Sequence, residues 1–418
     1  MSTLDLRQAL AGLLTLSMFI MLGNMIKKDH FDSIDDLGIQ AMPASQHASA
    51  AISEQSLTTV SHLSKTPWKQ NMVALKPCWN APPFKERQQS KGFITFSLTN
   101  GPEYHVSQIA DAVVVARYLG ATLVLPDIRI DKSGYRMSLG DIYDVENLIN
   151  RLDGLVRVTR TQPKGNPPTV KVPNGVSEDY IWRKVKPVYK AKGIIKIEST
   201  FPSVNTTMTG KRKSLDPFAC QAMFGTLQLQ YEIQEVVDTM VQKLQTLSHN
   251  LNGQFVVVDL GTDMLERECH RKEYKGRKLC HQAQDIGDFL KKIGFNQKTT
   301  VIYVTQTKWN SHLDALKHIF PNTYTKESIM SEDKKWKFIR SEKSEFEKVI
   351  DFHMCSKSEV FVPSTRGLFY TNVAGMRIAL GKNQILVPAE IAGPSASASD
   401  YISPYVTQKK HFAYACFC

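Results

Sequence analysis

Between Gly92 and Arg129 the chain reads GFITFSLTNGPEYHVSQIADAVVVARYLGATLVLPDIR, and this stretch constrains the fold most tightly. Gly92–Leu98 is an apolar run rich in β-branched and aromatic residues, which predicts a buried strand. Thr99–His105 contains Asn100, Gly101 and Pro102 and predicts a turn. Ile109, Ala112, Val113, Ala116 and Leu119 then recur at helical spacing over Val106–Leu119. Gly120 stops that helix, and Ala121–Leu125 predicts a second strand. Strand, turn, helix, strand is the opening unit of a parallel α/β sheet, because parallel neighbours need a long crossover. Such sheets bind ligands at the loops leaving the carboxyl ends of their strands. Thr99–His105 is the first of those loops.

The same alternation continues. Asp141–Asp153 predicts a short helix, Leu155–Arg160 a strand, and the Pro-rich Thr161–Asn174 a loop. Gly193–Glu198 predicts another strand. Leu227–Leu247 carries an apolar stripe of Leu227, Tyr231, Ile233, Val237, Met240, Val241, Leu244 and Leu247, the mark of a long packed helix. The second half opens with the strand Gln254–Leu260. It continues with helix Ala283–Ile293, strand Thr299–Thr305, helix Ser311–Phe320, helix Glu345–Cys355, strand Glu359–Pro363 and helix Tyr370–Leu380. The chain therefore divides into two doubly wound, Rossmann-type α/β domains over 91–250 and 251–418. Two such domains facing a cleft make a GT-B-like arrangement.

Upstream, residues 1–8 form a short tail. Ala9–Ile26 is an uncharged run of 18 residues. As a helix it spans about 27 Å, close to the thickness of a bilayer's hydrocarbon core. It reads as an uncleaved signal-anchor transmembrane helix, with a cleaved signal peptide as the alternative. Arg7 on one side and Lys27–Lys28 on the other leave orientation undecided. Residues 27–90 are polar and read as a stem or linker.

The formal net charge is +12. A basic surface fits an anionic small substrate as well as it fits a polyanion. The basic run Arg183–Lys196 holds a single aromatic residue, Tyr189, and Lys211–Lys213 holds none, short of the aromatic interleaving of a nucleic-acid stacking platform. The cysteines include no C-x-x-C pair and no zinc-like spacing. Cys269 and Cys280 bracket a polar loop; they either close it as a disulfide in an oxidising lumen or stand as unrelated thiols. Asn205-Thr206-Thr207 is a glycosylation sequon.

Three loops carry candidate chemistry. Backbone amides around Asn100 and Gly101, with the following helix N-terminus, suit a pyrophosphate, although a plain turn has the same signature. Asp259 ends the strand Gln254–Val258 and is placed as a general base or to hold a sugar hydroxyl, or else it caps a helix or makes a buried hydrogen bond. Ser364, Thr365 and Arg366 sit between a strand and a helix and offer hydroxyls, amides and a guanidinium to a phosphate. His105, His353 and His411 read as packing residues. No Asp-x-Asp pair ends a strand, so no metal and no cofactor are expected.

The segment TNGPEYHVSQIADAVVVARYLGATLVLPDIR resembles a motif of the plant protein O-fucosyltransferase-like family. So do FPNTYTKE (Phe320–Glu327), EVFVPSTRGLFYTNVAGMRIALGK (Glu359–Lys382) and the tail ISPYVTQKKHFAYACFC (Ile402–Cys418). The branch implicated in mannan and glucomannan synthesis is the most similar. The resemblance implies a Golgi type II membrane protein with a lumenal, metal-independent, inverting GT-B fold. It implies a GDP-sugar donor, a polysaccharide acceptor, and possible association with a mannan synthase. Asn100 and Gly101 would correspond to the first donor loop, Ser364 and Thr365 to the late one.

Two positions depart from the wider family. Its first loop carries Gly-Gly-x-Asn-Gln; this chain has Gly101-Pro102-Glu103-Tyr104-His105, and Pro102 removes one amide from a pyrophosphate cradle. Its second domain carries His-Leu-Arg; this chain has Asp259-Leu260-Gly261. Loss of a guanidinium at a departing diphosphate commonly raises the barrier by several kcal/mol. Three functions follow: a transferase with Asp259 and Arg366 in the reacting centre, a non-catalytic accessory factor for a polysaccharide synthase, or a protein O-fucosyltransferase in the strict sense.

Overall fold

The structure is a computed structural model that describes residues 75–79, 92–99, 101–130, 135–201, 215–260, 273–274, 277–278, 281–340, 344–365, 367–388 and 396–417. The anchor Ala9–Ile26, and Asn100, Asn205, Cys269, Cys280 and Arg366, lie outside those residues. Among the described residues no helix is long and apolar enough to cross a membrane.

The apolar run at Gly92–Leu98 does not form one strand. It breaks at Phe96 into β1 (Phe93–Thr95) and β2 (Ser97–Thr99), which enter different sheets. β1 lies at the centre of a five-stranded sheet with β3 (Thr122–Val124), β6 (Arg157–Thr159), β7 (Thr169–Pro173) and β8 (Ile194–Thr200). The order is β6-β3-β1-β8-β7, and every pair is parallel. Ile94 pairs with Leu123 on one side and Ile195 on the other. β7 lies inside the stretch Thr161–Asn174 read as a loop. Its five residues pair with β8 at the edge of the sheet, and two prolines, Pro168 and Pro173, sit at its limits, where an edge strand tolerates them. β2 forms a small three-stranded sheet with β4 (Asp127–Arg129) and β5 (Arg136–Met137).

The second sheet contains β9 (Phe255–Asp259), β10 (Val301–Val304), β11 (Thr323–Tyr324) and β12 (Val360–Pro363) in the order β11-β10-β9-β12, again all parallel. β9 alternates between two apolar layers. Phe255 and Val257 join one cluster, Val256 and Val258 the other. Burial on both faces explains why these strands read as unbroken apolar runs.

Helix α1 (Pro102–Leu119) packs against β1, β3 and β8 and also against α2 (Pro217–Gly225). α3 (Tyr231–Asn250), whose stripe assigns it to the first half, packs on β9 and β10 of the second sheet. α4 (Ala283–Lys292) and α5 (Asp314–Ile319) pack on each other beside that sheet's second apolar layer. α6 (Glu332–Phe338), α7 (Ser344–Lys357) and α8 (Leu368–Ala379) follow. α7 and α8 both touch α1, so the central helix of the first half is shared with the second.

The C-terminal segment returns to the first half. Cys416 is disulfide-bonded to Cys220 of α2. Cys78 donates its amide to the Cys416 carbonyl (3.0 Å), and Trp79 meets Phe417 edge-on. The folded body thus reaches back into the segment 27–90 read as stem.

Candidate functional site

The carboxyl ends of β2, β9 and β12 meet the amino ends of α1, α7 and α8. The first loop is much tighter than its sequence indicates. Thr99 is fixed by Gln108, which accepts from its amide (3.0 Å) and donates to its hydroxyl (2.8 Å). Gly101 caps α1 with φ 104°, and the Tyr104 amide donates to its carbonyl at 3.0 Å. Pro102 is therefore the first helical residue rather than part of a turn. A proline is favoured there, because that amide has no partner within the helix. So Pro102 removes no donor that the helix needs.

Glu103 follows in the first turn. A Cβ on Gly101 would stand 2.7 Å from the Glu103 Oε2. The carboxyl thus lies over the helix N-terminus, where a donor pyrophosphate was expected to bind. A carboxylate suits that end of the helix dipole. Burial nevertheless dominates and pushes its pKa up to about 7, and the nearby charges of Glu345 and Asp259 push the same way. Lys348 and the residue's own amide oppose the shift. The Asn372 side chain of α8 donates to the Glu103 carbonyl and ties the two halves together.

Asp259, at the end of β9, is buried. Thr305 donates its hydroxyl to Oδ1 at 2.9 Å. The Asp259 carbonyl accepts from the Ser364 amide at 2.8 Å. Ser364 is only 2% exposed, and its hydroxyl oxygen has no partner among the described residues. An unpaired buried hydroxyl is costly unless a ligand completes it. Thr365 adjoins it, and Gly367 caps α8. The structure therefore brings Gly101, Asp259, Ser364 and Thr365 into one neighbourhood.

Sequence reasoning passed over the rest of the cluster. His105 is fully buried in α1; its Nδ1 bonds the Tyr143 hydroxyl at 2.8 Å, and its Nε2 lies 3.7 Å from Glu345 Oε1. Burial, with help from Lys348, drives the His105 pKa down to about 3. The imidazole is neutral, so this approach is not an ion pair. Glu345 is pushed up by burial and held back by Lys348, which donates to Oε2 at 3.4 Å. Glu103 and His105 carried one available signal. Gly-Pro marks a helix start, which places both residues on the first turn of a helix that leaves a strand.

A family profile described as GDP-fucose protein O-fucosyltransferase matches residues 93–380. The chain belongs to this family. As an O-fucosyltransferase-family member it is 62% identical, over all of both chains, to "Protein MANNAN SYNTHESIS-RELATED" of Trigonella foenum-graecum. It is 49% identical to "Protein MANNAN SYNTHESIS-RELATED 2" of Arabidopsis thaliana, covering 99% of each. Among solved structures, the crystal structure of POFUT1 in complex with GDP aligns at 13% identity with a TM-score of 0.43, covering 72% of this chain and 100% of that one. The first turn of α1 and the end of β9, the two places where the sequence departs from the resemblance, lie near enough for the Asp259 charge to raise the Glu103 pKa.

Proposed function

We propose that this protein is a GDP-sugar-dependent, metal-independent inverting glycosyltransferase that acts on a mannan or glucomannan acceptor. Its two parallel sheets form the donor and acceptor halves of a GT-B arrangement. Family membership and full-length similarity to the mannan synthesis-related proteins support the substrate class. The observation that carries the chemistry is the Glu103 carboxyl, raised to about 7 and set against Asp259 and the unpaired Ser364 hydroxyl. An inverting transfer is one displacement. The acceptor hydroxyl attacks the anomeric carbon, the bond to the diphosphate breaks, GDP leaves, and a base takes the hydroxyl proton. A base works best with a pKa near the working pH, and Glu103 meets that requirement. Asp259, which accepts the Thr305 hydroxyl, also holds a sugar hydroxyl. Ser364 and Thr365 bind the donor phosphate, with Arg366 as the counter-charge that Gly261 no longer provides.

The uncharged stretch 9–26 supports a type II anchor in the Golgi membrane with the folded body in the lumen. The Cys220–Cys416 disulfide fits that oxidising compartment.

The decisive measurement is calorimetric binding of GDP, GDP-mannose, GDP-fucose and GDP-glucose to the full chain, followed by turnover. Glu103→Gln keeps donor affinity and lowers turnover at least a hundredfold. Unchanged turnover in that variant refutes the assignment of the base. The accessory reading is favoured by Gly261 replacing the family arginine. It predicts instead that an Asp259→Asn, Arg366→Ala variant restores mannan as fully as wild type in cells lacking the protein, and that the protein co-purifies with a mannan synthase.

A further inference from the structure

A cavity of about 500 Å³ lies among Asp141, Gln230, Trp336 and Phe346. Phe338 and Phe346 line it, packed edge-to-face with centroids 5.4 Å apart. Phe346 follows Glu345 directly in α7, and Asp141, also in the lining, lies two residues before Tyr143, the partner of His105. Two short chain segments thus connect the cavity lining to residues of the proposed reacting centre.

Its remaining lining is informative. Trp336 is 74% exposed, so its indole is open to solvent at the cavity. Asp141 binds the Ser138 amide through Oδ2, and Gln230 accepts the Glu232 amide through its side-chain oxygen. Among the described residues, Asp141 Oδ1 and the Gln230 side-chain nitrogen have no partner. Lys337 is already paired with Glu232, so it offers little to an anion. A flat aromatic face, a free acceptor and a free donor, without an unpaired cation, match the C–H face and hydroxyl rim of a pyranose.

We infer that this cavity binds a hexosyl segment of a neutral polysaccharide, with one ring stacked on Trp336, Asp141 accepting from a ring hydroxyl and Gln230 donating to one. The inference rests on the transferase reading and names the acceptor's subsite.

The test is calorimetric titration of the full chain with mannohexaose and with cellohexaose, in the presence and absence of GDP. Wild type binds at least one of the two. Trp336→Ala weakens that binding at least tenfold and leaves GDP affinity within twofold, while Trp336→Tyr retains most of it. Gln230→Ala gives a smaller loss and serves as the second variant if Trp336→Ala unfolds. Equal hexaose affinity in wild type and Trp336→Ala overturns the inference, as does failure of wild type to bind either hexaose. GDP is titrated separately, so a failed donor site and a failed acceptor subsite give different results.

Discussion

Glu103 shows at residue scale how neighbours reverse a carboxyl's usual contribution to stability. Its folded pKa of about 7 lies above the ordinary glutamate value of 4.5, so folding favours its protonated form. That contribution is complete below about pH 4.5 and is lost as the pH rises through 7. Glu103→Gln, which cannot ionise, should therefore gain stability on wild type between pH 4.5 and 7 and hold a constant advantage above that. The side chain is partly exposed, so solvent screening limits the gain to on the order of 1–2 kcal/mol. Urea unfolding of both proteins at pH 5 and pH 7.5 measures it; parallel pH dependences would remove the argument for a raised pKa. None of this was legible in the sequence, since the shift comes first from burial within the folded body and then from Glu345 and Asp259, which lie far along the chain. Arg377 makes the same point. It reads as one residue of an apolar helix, yet it is fully buried and donates to the carbonyls of Cys355, Ser358, Glu359 and Gln384. A buried guanidinium that satisfies the end of α7 leaves no mark on local periodicity.

At the scale of elements, legibility followed backbone satisfaction. The strands of the second sheet were readable because both faces are buried, which forces continuous β-branched runs. The first strand misled because an apolar run cannot announce a break such as the one at Phe96. The start of α1 was set four residues late because Gly101-Pro102 was read as turn chemistry. The two positions are not equivalent, and substitution separates them. Gly101 has φ 104°, and an added Cβ meets the Glu103 carboxyl at 2.7 Å. Gly101→Ala should destabilise the protein by about 1–3 kcal/mol through backbone strain and also displace Glu103. Pro102→Ala loses no helix hydrogen bond and should change stability by about 0.5 kcal/mol or less. Denaturant midpoints of the pair provide the check. Equal losses would show that the helix begins elsewhere.

For the whole molecule, the C-terminal segment couples the covalent framework to the site. Cys220 and Cys416 close a loop of 196 residues in sequence separation. His411, five residues before Cys416, contacts the Thr371 carbonyl through Nε2 at 2.9 Å. Thr371 precedes Asn372, which holds the first turn of α1 through the Glu103 carbonyl. The bridge thus stiffens α8 at the point where that helix fixes the proposed base. Sequence reasoning weighed Cys269 with Cys280 because a short loop is the visible pairing; a bridge across most of the fold has no local signature. Chain entropy assigns such a long loop a stabilisation of about 5 kcal/mol, with smaller values usual in practice. Converting both cysteines to alanine should lower Tm by about 5 °C, since a large body has a large unfolding entropy. Cys78 is itself disulfide-bonded and its backbone also pairs with Cys416, so reductant should lower Tm further than the double variant does. Hydrogen exchange then locates the consequence. Amides of α8 near Thr371 should lose protection in the double variant, while those of β9 and β10 keep theirs. If α8 stays as protected as in wild type, the bridge stabilises the tail alone and the proposed base is held in place by Asn372 without its help.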